Sequence, residues 1–182
     1  MSRKYKFHDS RSPHFVSFAV VNWIDLFTRR EYFDIMMESL SYCIEHKGLI
    51  MNAWCIMTNH VHLIIRSETD QLQNIMRDMK KFTSKKLIKD LEDNRQESRK
   101  DWILWMFKRA GIKNSNNKLW QVWQQHNHPI ELSTNEMIEK RLEYLHLNPV
   151  KAGFVKKPED WFYSSARQYA GFSGILELEI ID

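Results

Sequence analysis

Leu49-Ile-Met-Asn-Ala-Trp-Cys-Ile-Met57, then Thr58-Asn59, then His60-Val-His-Leu-Ile-Ile-Arg66 is the stretch on which the fold turns. The first part is a nearly continuous apolar run of strand length, and the last opens on histidine, valine, histidine in alternation. Two strands separated by so short a turn pair as an antiparallel hairpin. Upstream, Phe15 to Val21 is apolar and β-branched enough for a strand. Between them Phe33, Met36, Leu40, Cys43 and Ile44 recur at helical spacing, predicting a helix over about 30–46 that stops near Gly48. Downstream, Leu72, Ile75, Met76, Met79 and Phe82 mark a second helix. The order β-α-β-β-α predicts an α+β fold: a small antiparallel sheet with helices packed on it.

Further along, Trp102 to Phe107 reads as a short amphipathic helix and Gly111 to Lys118 as a polar loop. An aromatic and amide-rich stretch, Trp120 to Pro129, follows. Ser133 and Glu136 form an S-x-x-E capping box that starts a helix reaching about Leu147. Pro149 disfavours helical geometry at Asn148, so the helix is expected to end there.

At 182 residues, 43% hydrophobic and 27% charged, the chain has the size and balance of one globular domain over 1–182. No apolar run is long enough to span a membrane, and the first residues lack the apolar core of a secretory signal. Cys43 and Cys55 have neither CxxC nor zinc-ligand spacing and lie among apolar neighbours, as buried thiols in a reducing cytoplasm would. Net charge is +4, and residues 77–100 supply all of it, with nine Lys/Arg against five acids. Such a segment serves as a solvated helix face or as a contact for a polyanion.

His60 and His62 are the first residues that point to chemistry. In a strand, positions i and i+2 share a face, and two neutral imidazoles so placed can hold one metal ion. Val61, Leu63 and Ile65 point to the opposite face. No HExxH is present and nothing in Leu63–Arg66 adds a ligand, so a metal would need donors from elsewhere.

The helix after Ser133 offers them. At 100° per residue, Ile138, Leu142 and Leu145 fall within about 60° of arc and make the buried stripe. Tyr144 lies roughly 120° and Asn148 about 80° from the start of that stripe, on one side of it, flanked by Lys140 and Arg141. Tyr144 and Asn148 are i and i+4. His146 points away and reads as structural.

Taken in order, Asn52-Ala-Trp54, Met57-Thr-Asn-His-Val-His-Leu-Ile65, Lys80-Lys-Phe-Thr83, Trp123-Gln-Gln, Tyr144-Leu-His-Leu-Asn-Pro-Val-Lys-Ala-Gly-Phe-Val155 and Trp161-Phe-Tyr-Ser-Ser165 resemble the single-tyrosine HUH transposases. Within them the pattern is most similar to the REP-associated tyrosine transposases and their insertion-sequence relatives, over about residues 14–170. The resemblance implies a ferredoxin-like βαββα core with the histidine pair on a central strand. It implies His60 and His62 as metal ligands, Asn148 completing the site, Mg2+ or Mn2+ as the ion, and Tyr144 as the nucleophile. The implied reaction cleaves and rejoins single-stranded DNA, with hairpin ends, through a 5′-phosphotyrosine. Relatives act as monomers, or as homodimers in which the tyrosine helix serves the partner's metal site. For the DNA itself, Lys80, Lys81, Lys85, Lys86 and Arg141 are candidate backbone contacts, and Trp120 and Trp123 candidate stacking platforms, with core packing an equal reading for the tryptophans. Two other readings stay open: a domesticated hairpin-binding protein that does not cut, and a metal-dependent phosphodiester hydrolase in which Tyr144 is structural.

Overall fold

The apolar stretch and the alternating one pair as expected. The computed structural model describes residues 7, 9–69, 71–114, 119–125, 127 and 129–181. In it β2 (Leu49–Ile56) and β3 (His60–Ser67) run antiparallel from Ile56↔Val61 at the turn to Leu49↔Ser67 at the far end. The register shifts between Met51 and Ala53, leaving Asn52 as a bulge whose amide N–H donates to the Glu179 carbonyl at 2.8 Å. β1 (His14–Ala19) pairs with the other side of β3, and the two-residue β4 (Ile130–Glu131) with the outer side of β1. The order β2-β3-β1-β4 makes β3 and β1 the central strands.

One face of this sheet is covered by α1 (Arg30–Lys47), α2 (Leu72–Asp93) and α3 (Lys100–Ile112). Val16, Phe18, Trp54, Ile56, Val61, Leu63 and Ile65 meet apolar residues of those helices in the larger core. The other face carries α4 (Asn135–Lys151), with α5 (Ala166–Tyr169) alongside. There Phe15, Ala53, Cys55, Met57 and Ile64 meet Ile138, Leu142 and Leu145 in a smaller core. The outer edge of β2 is an unpaired strand edge, a template for association unless covered. The C-terminal segment covers it: Ile56 N–H donates to the Tyr163 carbonyl, Ser165 N–H to that of Trp54 and Glu179 N–H to that of Met51, each at 2.9 Å.

α1 ends at Gly48 with φ +66°, a left-handed stop that glycine takes without strain. Cys43 and Cys55 are free and buried, and burial pushes their thiols up to about 11 and about 12. No helix among the described residues is long and apolar enough to cross a membrane.

Four local expectations need correction. Phe82 is exposed; Thr83 takes the inward position, donating to the Met79 carbonyl at 2.9 Å and accepting from the Trp123 indole at 3.0 Å. The helix expected over Trp102–Phe107 extends across Lys100–Ile112 and takes in Gly111; residues 115–118 of the expected loop, like His126 and His128, lie outside the described residues. α4 is capped by Thr134, whose Oγ1 accepts from Met137 N–H at 3.2 Å, and not by the Ser133–Glu136 box, since Glu136 pairs with Lys140 at 2.6 Å. α4 also runs through Pro149 to Lys151. Proline lacks one donor, so the helix forgoes a single hydrogen bond there. It ends at Gly153, φ +78°, where Gly153 N–H reaches the Val150 carbonyl at 2.9 Å and Phe154 N–H that of Pro149 at 3.0 Å.

His146, on the inner side of α4, is buried and shares a 2.8 Å hydrogen bond with Ser165 Oγ. Burial lowers its pKa to about 4 from an ordinary 6.5. A base depressed in the folded state leaves the unfolded chain binding more protons, so its contribution is present above pH 6.5 and is lost as pH falls toward 4. The loss at pH 4 is on the order of 3 kcal/mol. His146→Gln, which keeps a partner for Ser165, is expected to flatten the fall in Tm between pH 7 and pH 4.5; an unchanged fall would place the acid sensitivity elsewhere.

Candidate active site

Strand alternation decides which side chains face α4. His60 and His62 share that face with Ile64, while Val61, Leu63 and Ile65 fill the opposite core. His62 is flanked across the sheet by Ser17 and Cys55, and His60 by Ala19. The two imidazoles lie 4.7 Å apart, centroid to centroid. His62 is buried and stacked on Phe15 at 5.4 Å. Burial lowers its pKa to about 3, with the charges of His60 and Arg141 acting in the same direction. Burial lowers that of His60 as well, with the nearby Asn148 and Asp25 acting in the opposite direction. Both rings are therefore neutral at neutral pH and keep a lone pair. In His60 that pair sits on Nε2, because Nδ1 donates to Asn59 Oδ1 at 2.6 Å.

α4 brings its polar side to the pair. The Tyr144 ring stands edge-on to His62 at 5.2 Å and to Phe15 at 5.9 Å, and is 40% exposed, so it is seated in the site yet open to solvent. Asn148 Nδ2 lies 3.2 Å from His62 Nε2. Asn148 lies one turn beyond Tyr144 on the helix, which continues through Pro149. The Arg141 guanidinium sits 5.0 Å over the Phe15 ring, and Lys151 Nζ lies 6.0 Å from the centre of Tyr144. Lys140 is occupied by its ion pair with Glu136.

As a donor set this fits a divalent cation. Two neutral imidazoles supply nitrogen lone pairs, and the Asn148 amide, rotated by a half turn, presents Oδ1 in place of Nδ2. Among the described residues no group of three or more His, Cys, Asp or Glu gathers anywhere, so a cation held here would need donors of another kind beside the two imidazoles, of which the Asn148 amide is the one at hand.

Several residues here carry no sequence pattern of their own. Asp25 Oδ1 accepts from Thr58 Oγ1 at 2.6 Å and from Asn59 Nδ2 at 3.1 Å, tying the loop after β1 to the β2–β3 turn. On that loop Asn22 and Trp23 both take the left-handed conformation, φ 56° and 54°. Trp23 is 58% exposed and stands edge-on to His60 at 5.6 Å. Lys151 had a findable signal, since it is i+7 from Tyr144 and shares its helix face.

The structure thus brings together His60, His62, Tyr144, Asn148 and Arg141, while Lys80, Lys81, Lys85, Lys86, Trp120 and Trp123 belong to the opposite side of the sheet. Lys81, Lys85 and Lys86 are exposed on α2 and Trp120 is half-buried. Trp123 is a core residue, packed against Phe18 and Phe27 at 4.9 and 5.9 Å. Lys80 turns its ammonium inward, donating to the Gln124 carbonyl at 2.9 Å and Asn127 Oδ1 at 2.7 Å, and lies 5.3 Å over Phe18. Desolvation lowers its pKa to about 8.

Residues 18–109 match the family described as Transposase IS200 like. The matched segment contains the histidine pair, α2 and most of α3, and ends before Tyr144. No curated protein matches the sequence. Among solved structures, the chain is similar to a REP-associated tyrosine transposase bound to a REP hairpin, at a TM-score of 0.66 and 18% identity, covering 100% of this chain and 94% of the other.

Because Lys80 is built into the fold, Lys80→Ala is expected to cost about 1–3 kcal/mol in urea unfolding, as for a lost buried charged hydrogen bond. Exposed Lys81→Ala should stay within about 0.5 kcal/mol. Equal midpoints for the two variants would show that the Lys80 contacts carry no stability.

Proposed function

The chain belongs to the IS200-like transposases, and on that premise we propose that it cuts and rejoins single-stranded DNA with Tyr144 as the nucleophile. The observation that supports this reading is the convergence, within one chain, of Tyr144 and Asn148 from α4 on the His60–His62 face of the sheet. That convergence also favours cleavage in cis, by the tyrosine of the same copy.

A phosphodiester is anionic and repels nucleophiles, so the site must offset charge as it builds up. A phenol attacks as its phenolate; the Lys151 ammonium lies 6.0 Å from the centre of the Tyr144 ring, and the Arg141 guanidinium sits over Phe15, which that ring meets edge-on. A divalent ion, Mg2+ or Mn2+, held by His60, His62 and Asn148 would polarise the scissile phosphate as a Lewis acid. Tyr144 Oη forms a bond to phosphorus while the bond from phosphorus to the 3′ oxygen breaks. The departing oxygen takes up a proton as a free 3′-OH, and the 5′ side remains as a tyrosyl phosphodiester. Since that ester conserves the phosphodiester, another 3′-OH reverses the step and joins strands without ATP. The solved relative holds a REP hairpin, which supports hairpin-flanked single strands as the substrate class. Lys81, Lys85 and Lys86 would add backbone contacts away from the cut.

The test is a covalent-adduct assay: the protein with Mn2+ and labelled single strands from both flanks of its own gene, run on a denaturing gel. A shifted band lost in Tyr144→Phe, in His60→Ala and on adding EDTA is the expected result. Tight binding with no adduct would favour the hairpin-binding reading, and cutting that survives Tyr144→Phe the hydrolase. In the same preparations, joint Lys81→Ala, Lys85→Ala and Lys86→Ala should lower the salt dependence of binding by about 2 in log–log slope, at roughly 0.7 per phosphate contact.

A further inference from the structure

Helix α3 has an outer face that its place in the fold does not account for. Its inner face is Ile103 and Phe107, both fully buried, and then Gly111, where an added Cβ would lie 2.4 Å from the Leu119 carbonyl oxygen. The opposite face of such a helix is ordinarily polar. Here it carries Trp102, Trp105 and Ile112, at 50%, 53% and 67% exposure, a large apolar surface left in water. The Arg109 guanidinium lies 5.2 Å over the Trp105 ring. A shallow groove of about 390 Å³ runs along this face, lined by Trp105, Lys108, Arg109, Ile112 and Lys113. Residues 100–113 hold four cations and one acid.

We propose that this face of α3 is a second contact surface for single-stranded nucleic acid, with bases stacked on Trp102 and Trp105 and phosphates held by Lys108, Arg109 and Lys113. The inference rests on the reading of single-stranded DNA as substrate and extends it to a surface outside the histidine–tyrosine site. Half-exposed indoles interleaved with cations match a ligand that is π-faced and polyanionic along its length, and a single strand is both. An apolar protein partner would cover the indoles but would also desolvate Lys108, Arg109 and Lys113 without compensation.

The connection to the site is direct. Arg99, immediately before α3, donates to the Asp25 carbonyl and to Thr28 Oγ1, each at 2.8 Å. Asp25 belongs to the loop whose exposed Trp23 stands against His60. A strand leaving the histidine pair past Trp23 would come to the loop that Arg99 ties to the start of α3. Short strands would therefore use the site alone, and longer ones both surfaces.

The test is fluorescence anisotropy of the full chain with 5′-fluorescein (dT)8 and (dT)24. Trp102→Ala with Trp105→Ala should weaken (dT)24 binding by about ten-fold or more, change (dT)8 binding by less than two-fold, and abolish most of the tryptophan quenching that (dT)24 causes. Phe at both positions should restore most of the affinity. Lys108→Glu with Lys113→Glu repeats the test without touching the indoles, should the alanine pair lower Tm. Wild-type failure to bind (dT)24, or variants that bind it within two-fold of wild type, would overturn the proposal. So would a wild-type dimer in sedimentation velocity that the alanine pair dissociates with (dT)24 affinity unchanged, which would make the face a contact with a second copy. Wild type that gives no covalent adduct yet shows this two-surface binding, lost in the Trp102→Ala/Trp105→Ala pair, supports the α3 surface and bears against the nucleophile alone.

Discussion

Everything in the site depends on the register of β3. This strand is central and covered on both faces, so each residue must suit the face it is dealt, and a slip by one residue would exchange all of them. In the observed register Val61, Leu63 and Ile65 are fully buried in the larger core. The slipped one would drive His60 and His62 into that core and turn the valine, leucine and isoleucine toward α4. The slip would bring two imidazoles into an apolar core as desolvated polar groups. It would also move three apolar side chains to the half-open side around His60 and Tyr144, where part of a burial worth at most about 1.5–3 kcal/mol each is lost. The hydrophobic effect, acting on residues with no chemistry, thus aims the two that have it. The bulge at Asn52 belongs to the same constraint, because it lets Met51 and Trp54 both face the larger core from β2.

The second dependence is that α4 must lie close over that face. Its apolar stripe, Ile138, Leu142 and Leu145, seats it on Phe15, Ala53, Cys55 and Ile64. With the stripe down, Arg141, Tyr144, Asn148 and Lys151 fall along one flank. Phe15 serves both halves, packing under His62 and meeting the Tyr144 edge and the Arg141 guanidinium. A tyrosine held by a helix and histidines held by a strand keep their relation through these contacts, and a site supported by rigid elements is more exact than one built on loops.

How far the sequence disclosed this can be judged from particular residues. The hairpin and both long helices were legible because apolar periodicity is produced by the same burial that makes the elements. That His60 and His62 share one face, and Tyr144 and Asn148 another, was legible because i, i+2 and i, i+4 spacing survives folding unchanged. What failed were choices between near-equal local options. Ser133 and Thr134 can each cap α4, and only tertiary position selects the second. Pro149 removes one hydrogen bond, a cost the packed helix absorbs. Phe82 and Thr83 exchange faces because Thr83 has a long-range partner, the Trp123 indole, that no local pattern reveals. Lys80 sits in a basic run but differs from Lys81 through carbonyl and amide acceptors more than forty residues away.

Trp23 was illegible for a further reason. Asparagine tolerates the left-handed region; a tryptophan there is unusual and costs roughly 1–2 kcal/mol. Such a conformation persists only where the surroundings over-determine it, and they do. Asp25 binds Thr58 and Asn59, Arg99 holds the Asp25 and Thr28 positions, and Glu97 fixes Arg99 and Arg29 at 3.0 and 3.3 Å. Apart from the local Glu97–Arg99 pair, these bonds join the loop to segments distant in sequence, so they are not visible as a motif. Their combined effect is to hold an exposed indole against His60 while Asn59 fixes which nitrogen of His60 is left with its lone pair. The strain and the tautomer are therefore set by one network, and a change at Asp25 would disturb both together.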